Sequence, residues 1–181
     1  MTVQSEYQLE NELISQLKQL GYASVTLKDE SQLLSNLKTQ IERANGLAPL
    51  SDTEWKQVIS FLNTGTVFER AKNLRDLFPV KFDDGSSKHI FFLSDDPSKN
   101  IYQVTNQITI DHRDYNGRTS RFDVTLLVNG LPLVQIELKK RGMEIAEAFN
   151  QTQRYIREAY WAGQGLFGFI QLFVISNGAN T

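Results

Sequence analysis

Three residues in the second half of the chain have the types and spacing needed for metal-dependent chemistry: Asp123, then Glu137 and Lys139 in a Glu-x-Lys pattern. Two carboxylates that lie close together repel each other and lose hydration, and a divalent cation with oxygen ligands offsets both penalties. Mg²⁺ commonly takes one or two protein carboxylates, and a lysine beside it can orient water and stabilise negative charge on a phosphate. The set therefore predicts hydrolysis of a phosphodiester.

The rest of the composition favours Mg²⁺ over zinc at this site. The chain has no cysteine, and its two histidines, His89 and His112, do not form a spaced pair. Because zinc sites use mainly thiolate and imidazole ligands, zinc fits these residues poorly. We expect each histidine to be structural or at the surface.

Two polar residues on the next predicted helix belong with this set. Gln151 and Tyr155 are one helical turn apart and therefore share a face. An amide and a phenol suit contact with a DNA backbone or a base. By spacing alone, the same face could instead pack on the sheet with its polar groups at the rim, and the sequence leaves both interpretations open.

A third carboxylate to consider is Glu10, in the first predicted helix. It precedes Leu13 and Ile14 by three and four residues, so it projects near the apolar stripe of that helix. It either reaches water from the boundary of that stripe or contributes to a site in the interior.

The strands that carry the acids constrain how they can meet. Alternation predicts that Phe122 and Val124 share one strand face and that Asp123 lies on the other, together with Glu137 on the next strand. A two-residue turn at Asn129-Gly130 would spoil this, because a slip of one residue moves every side chain to the opposite face. We therefore predict a three-residue loop or a β-bulge at this hairpin.

The elements around the site divide the chain into a helical half and a strand-rich half. Three capping boxes open predicted helices (Ser5 with Gln8, Ser51 with Glu54, Thr66 with Glu69), and another helix is predicted over residues 30–44. Strands are predicted at 25–27, 79–82, 89–93, 101–110, 122–128, 131–139 and 169–175, with a helix at 144–159. This order predicts an α/β domain.

Composition excludes several protein classes. The 181 residues suffice for one domain, and the hydrophobic content of 40% fits a globular fold. The absence of cysteine excludes a disulfide framework and suits a reducing cytoplasm. No apolar run reaches the roughly 18 residues that span a bilayer. The net charge of −2 gives no indication of nucleic-acid binding.

The residues described above resemble the nuclease core of the PD-(D/E)xK superfamily. The longer stretches QSEYQLENELISQL, RFDVTLLVNGLPLVQIELKKRG and EAFNQTQRY resemble the N-terminal domain of the restriction subunit of type I restriction enzymes. The resemblance is carried by residues 4–22 and 121–178. One departure is Phe122, which stands where many superfamily members have a proline.

The resemblance implies a restriction-endonuclease-like core, a mixed sheet flanked by helices, in a single endonuclease domain over residues 1–181. It implies Mg²⁺ binding by Asp123 and Glu137, action of Lys139 on the attacking water, and a DNA-contacting or positioning role for Gln151 and Tyr155.

The resemblance also concerns the first helix, whose glutamate completes the site in part of the superfamily. Glu10 matches that residue, with Glu6 and Glu12 as neighbouring candidates.

The resemblance further implies partners: double-stranded DNA, a methyltransferase subunit and a specificity subunit. The full subunit of that family continues into an ATP-driven translocase, whereas this sequence has no G-x-x-x-x-G-K-[ST] phosphate loop. We therefore expect a part of a longer cytoplasmic protein, with ATP used only by the full-length subunit.

Two alternatives remain at this stage. The helical residues 30–77 could make the domain a non-catalytic docking module that joins the motor to the methyltransferase core. The acids and the lysine could also form a salt-bridge ladder on an unrelated α/β domain, since such surface pairs are common and contribute at most about 1 kcal/mol each.

Overall fold

A computed structural model of the chain describes residues 5–112, 118–140, 149 and 165–178. Four α-helices are described in the first half of the chain: α1 Glu6–Gln19, α2 Glu30–Ala44, α3 Asp52–Asn63 and α4 Val67–Asn73. Seven strands are described: β1 Ala23–Ser24, β2 Phe78–Lys81, β3 Ser87–Ile90, β4 Tyr102–His112, β5 Arg118–Val128, β6 Leu131–Leu138 and β7 Leu172–Ser176. Short 3₁₀ helices lie at Pro97–Lys99 and Leu166–Phe169.

Five of the strands form one mixed sheet in the order β1-β4-β5-β6-β7. Strands β4, β5 and β6 are antiparallel neighbours, and the two outer pairs, β1 with β4 and β6 with β7, are parallel. Strands β2 and β3 form a separate hairpin. The expectation of a mixed sheet flanked by helices is confirmed, and the arrangement is consistent with a restriction-endonuclease-like core.

The helix boundaries follow the capping signals in the sequence. The Ser5, Ser51 and Thr66 side chains accept hydrogen bonds from backbone N–H groups at the starts of α1, α3 and α4, and each predicted capping box is complete. Asp29 caps α2 in the same way. None of the described helices is long and apolar enough to cross a membrane.

Two hydrophobic clusters cover the two faces of the sheet. The smaller one packs Leu9 and Leu17 of α1 against the sheet residues Val104, Val124, Ile136 and Leu138. The larger one joins α2, α3 and the β2–β3 hairpin to the opposite face and includes Ile108 and Phe122. Asp123 and Glu137 lie on the central strands β5 and β6, in the sheet between these two clusters.

The prediction that Phe122 shares a face with Val124 is wrong. Val124 packs under α1, whereas Phe122 belongs to the larger cluster and stacks on Phe167 with ring centroids 4.3 Å apart. On the neighbouring strand, Gln107 has a φ of +56°, in the left-handed region that a non-glycine residue rarely adopts. Along β4 and β5, the side of the sheet to which the buried residues point therefore changes at the row that contains Gln107 and Asp123.

The hairpin between β5 and β6 resolves the question of register. Asn129 and Gly130 form a two-residue turn with positive φ at both positions, and Val128 pairs with Leu131. The three-residue loop is therefore the wrong alternative, and the bulge is the right one. Leu126 pairs with Val134 while Leu127 pairs with Pro132, so Leu133 is an extra residue on β6. This bulge brings Asp123 level with Glu137.

The turn itself is fixed by close packing. A Cβ atom on Gly130 would lie 2.6 Å from the Leu37 Cα of α2, so only glycine fits there. The buried Asn129 side chain donates to the Phe92 carbonyl (2.8 Å) and accepts from the Ile101 N–H (2.7 Å). These contacts hold the hairpin in the register that the site needs.

Candidate active site

Asp123 lies where β5 and β6 separate. The ladder between these strands runs as far as the pair Val124 and Ile136. One residue further, the Asp123 Oδ2 accepts a hydrogen bond from the Leu138 N–H at 2.9 Å. The carboxylate thus accepts a hydrogen bond that a backbone carbonyl would accept in a continued ladder, and this bond fixes the orientation of the Asp123 side chain. Because Asp123 is half-buried, part of it stays accessible from solvent.

Glu137 is the buried member of the pair, with a relative exposure of 1%. Burial raises the pKa of its carboxyl from the usual 4.5 to about 8, and the negative charge of Asp123 acts in the same direction. A hydrogen bond from the Gln135 side chain, the positive charge of Lys139 and the Asp123 backbone N–H all lower the pKa. The two carboxyl groups are therefore close enough to interact, and the buried one resists ionisation when no cation is bound.

Lys139 follows directly at the end of β6. Its backbone N–H donates to the Ser176 carbonyl at 2.9 Å, which ties the residue to β7, and its side chain is half-buried. Its charge acts on Glu137, as the effect on that pKa indicates. The structure thus brings Asp123, Glu137 and Lys139 together.

Glu10 contacts β4, the strand next to the one that carries Asp123. It has a relative exposure of 5%, and its two carboxylate oxygens accept from the side-chain amides of Asn106 and Gln107 (2.8 Å from Gln107). Gln107 occupies the β4 position opposite Asp123, between the pairs Asn106–Val124 and Ile108–Phe122. Glu10 therefore contacts the strand next to the acids through amides, and its role in the chemistry remains a prediction.

The neighbouring candidates on α1, Glu6 and Glu12, have different surroundings from Glu10. The Glu6 Oε1 accepts from the Lys140 N–H at 3.3 Å, one residue beyond Lys139. Glu12 lines a groove between α1 and the ends of β6 and β7. Gln151 and Tyr155 lie outside the described residues, so their predicted roles are not tested.

Asp123 and Glu137 are the carboxylates of this site that could bind a cation. Within the ranges that the structure describes, no group of three or more aspartate, glutamate, histidine or cysteine side chains could hold a metal ion. Mg²⁺ does not need such a group, because it binds through one or two carboxylates and keeps several waters. Asp123 and Glu137 supply two oxygen donors, and the half-buried Asp123 leaves a way in. The residues fit Mg²⁺ and do not fit zinc.

With this geometry established, known proteins give a direct comparison. The family model described as the N terminus of the type I restriction enzyme R protein matches residues 3–181. The chain belongs to this family.

Curated relatives of this R-protein N-terminal family span bacteria and an archaeon. The endonuclease subunit of a type I restriction enzyme from Staphylococcus aureus (strain MSSA476) is 46% identical over 186 residues, which cover 100% of this chain and 19% of the relative. The EcoprrI endonuclease subunit from Escherichia coli is 40% identical over 184 residues, covering 98% of this chain and 58% of the relative. A putative subunit from Methanocaldococcus jannaschii is 29% identical over 86 residues, 46% of this chain and 8% of the relative. The chain thus spans about a fifth of the staphylococcal relative.

Within this R-protein N-terminal domain, two polar residues beside the acids were not singled out by the sequence analysis. Gln135 is fully buried and donates to the Glu137 Oε1 at 3.2 Å, and the equally buried Thr125 donates to the Gln135 Oε1 at 2.7 Å. The signal was present: Gln135 shares a strand face with Glu137 in an otherwise apolar run. A buried amide beside a predicted metal ligand is a candidate for orienting that ligand.

Proposed function

We propose that this chain is the nuclease part of a type I restriction enzyme and hydrolyses phosphodiester bonds of double-stranded DNA with Mg²⁺, through a PD-(D/E)xK site. The observation that carries the proposal is the interaction of Asp123, Glu137 and Lys139 at the point where β5 and β6 separate. Membership of the R-protein N-terminal family, and relatives named as endonuclease subunits, support it.

The residues of the chain have distinct tasks in this reaction. Asp123 and Glu137 would hold Mg²⁺ through their carboxylate oxygens, and Glu137 would do so in its ionised form, although its carboxyl, with a pKa of about 8, is neutral near pH 7 in the metal-free chain. Lys139 orients the attacking water and donates hydrogen bonds to the phosphate as negative charge develops there. Mg²⁺, when bound, supplies Lewis-acid stabilisation of the same charge.

Three residues outside this group complete the proposal. Gln151 and Tyr155 contact the DNA or position the site, as the family motif implies. Glu10 supports the site from α1, either as a catalytic group or through its amide partners on β4.

For the whole protein, we propose that cleavage follows ATP-driven translocation by a motor beyond this chain. The partners are then the methyltransferase subunit and the specificity subunit, which selects the DNA target, and the complex works in the cytoplasm. ATP is a cofactor of the full-length subunit, whereas Mg²⁺ is the cofactor of this domain.

Replacing Asp123, Glu137 or Lys139 by alanine in the reconstituted enzyme tests the proposal. Each variant should lose DNA cleavage and keep ATP-driven translocation, measured by displacement of a DNA triplex, because the motor lies elsewhere. Cleavage at the wild-type rate by any of the three variants contradicts the assignment.

The two alternatives make different expectations. A docking module would keep cleavage in these variants and lose assembly with the methyltransferase when the helices at residues 30–77 are altered. A salt-bridge ladder requires Lys139 to pair with an acid, but the ion pair found in the described part of the chain joins Lys99 and Asp96 at 3.8 Å. The nuclease is therefore the function that the site supports best.

A further inference from the structure

A chain of buried hydrogen bonds runs across the sheet to one oxygen of Glu137. The Thr125 hydroxyl donates to the Gln135 Oε1 at 2.7 Å, and the Gln135 Nε2 donates to the Glu137 Oε1 at 3.2 Å and to the Ile136 carbonyl at 3.3 Å. Thr125 and Gln135 are both 0% exposed, and they pair across the strands β5 and β6. Water does not compete for these groups, so each bond has to be made within the protein.

The chemistry of this chain fixes which way the Gln135 amide points. If the amide were turned over, its oxygen would face the Ile136 carbonyl, which can only accept, and two acceptors would meet. The Ile136 carbonyl can only accept, so it holds the Gln135 Nε2 on that side, and the Thr125 hydroxyl rotates to donate to the Gln135 Oε1. Thr125 therefore stabilises the orientation that the Ile136 carbonyl selects, and in this orientation Gln135 presents a donor to Glu137.

A donor at one carboxylate oxygen affects how the other can bind a cation. With the Glu137 Oε1 held by the amide, rotation of the carboxylate about its last bond is restricted, and the remaining oxygen is the one available to a metal. A bond from a neutral N–H is also stronger to an ionised carboxylate than to a protonated one. Both effects favour the metal-binding form of Glu137.

We propose that Thr125 and Gln135 are positioning residues that orient the Glu137 carboxylate for Mg²⁺ through the hydrogen-bond chain Thr125–Gln135–Glu137. The inference rests on the proposed function and deepens it, because it assigns two further residues to the same site. Groups that orient a metal ligand typically change metal affinity by about 10- to 100-fold when they are removed.

The chain offers a matched control on the neighbouring strand. Thr105 pairs with Thr125 across β4 and β5, is 1% exposed, and also uses its hydroxyl in a buried hydrogen bond, which it accepts from the Leu27 N–H at 3.3 Å. Thr105→Val therefore removes the same group from the same row of the sheet without touching Gln135. It should lower the melting temperature and leave metal binding unchanged.

The test uses the 181-residue chain and Mg²⁺ at fixed pH, with binding followed by NMR shifts of the backbone amides of residues 123 and 137. Gln135→Met should weaken Mg²⁺ binding by about 10- to 100-fold, and Thr125→Val by about threefold to tenfold. Thr125→Ser keeps the hydroxyl and should bind as the wild type does. In the metal-free wild type, the Gln135 side-chain amide protons should exchange slowly, and in Thr125→Val they should exchange faster.

The possible results distinguish failure of the positioning role of Thr125 and Gln135 from failure of the proposed nuclease function. Wild-type affinity in both Thr125→Val and Gln135→Met would overturn the inference if Glu137→Gln has lost binding, and so would an equal loss in Thr105→Val. A wild-type chain that binds no Mg²⁺, or a Glu137→Gln variant that binds normally, would overturn the proposed function and the inference with it. If Gln135→Met does not fold, Thr125→Val is compared with Thr125→Ser, and equal Mg²⁺ affinity of these two variants would overturn the inference.

Discussion

The buried Glu137 carboxyl should make the metal-free chain less stable as the pH rises. Its pKa is raised from 4.5 to about 8 in the folded chain, so between these values the folded chain binds more protons than the unfolded chain does. Stability contributed by the neutral carboxyl is then fully present below about pH 4.5 and is lost as the pH rises through about 8. Most proteins with ion-paired carboxylates show the opposite slope in acid.

The size of the effect follows from the shift. One pKa unit corresponds to about 1.4 kcal/mol, so a rise from 4.5 to about 8 amounts to about 5 kcal/mol of unfolding free energy across the window. The slope in the middle of the window is about 1.4 kcal/mol per pH unit, for one proton. That total is comparable to the whole stability of many small domains, about 5–15 kcal/mol.

Urea denaturation in EDTA at several pH values between 5 and 8, followed by tryptophan fluorescence, measures this slope. Glu137→Gln keeps the shape of the side chain and cannot ionise, so its unfolding free energy should depend less on pH by about one proton. Groups that do not interact with Glu137 contribute equally to both proteins and cancel in the difference. If the stabilities of the wild type and of Glu137→Gln change in parallel over this range, the reasoning about Glu137 is wrong.

Three further predictions concern the same site and the hairpin that aligns it. Asp123→Asn should lower the pKa of Glu137, because it removes the negative charge of Asp123, which after burial is the main cause of the raised pKa. NMR titration of the Glu137 carboxyl carbon measures this pKa, and an unchanged midpoint would mean that the two carboxyl groups do not interact. The Mg²⁺ affinity measured by calorimetry should rise about tenfold per pH unit below about pH 8, and binding should release a proton, because the cation requires ionised Glu137. An affinity that does not change with pH would argue against Glu137 as a ligand. In urea unfolding, Gly130→Ala should destabilise the fold by about 3 kcal/mol or more, because its φ is +82° and the added Cβ would lie 2.6 Å from the Leu37 Cα. Gly85→Ala is the control: its φ is +84° but a Cβ there meets open space, so it should destabilise by only about 1–2 kcal/mol. Equal losses in the two variants would refute the argument from the contact with Leu37.

The register of the β5–β6 hairpin could be predicted from the sequence only in part. Asn129-Gly130 predicts a two-residue turn, and the requirement that Asp123 and Glu137 meet demands one extra residue. The structure satisfies both, with a tight turn and a bulge at Leu133. The sequence could not choose between a loop and a bulge, because the choice depends on the packing of Gly130 against α2, a contact between residues far apart in the chain.

The helix starts follow from residues close in sequence and were predicted correctly, whereas polar contacts between distant residues were not predicted. The capping boxes of α1, α3 and α4 depend on residues three apart, and all are present. The partners of Glu10 lie 96 and 97 residues away on β4, and nothing in the helix itself indicates them. The change of face at Gln107 likewise arises from a backbone conformation that alternation cannot predict.

The division of the interior into two hydrophobic clusters has a consequence for the order of folding. Strands β4, β5 and β6 follow one another along the chain, so their pairing closes short loops, which favours early formation. Helix α1 reaches the same strands only across about a hundred residues, as its Glu10 contacts show. We therefore expect the meander to form before α1 docks, so that substitutions on the buried face of α1 accelerate unfolding more than they slow refolding. The acids on β5 and β6 would then be aligned before the helix that carries Glu10 arrives.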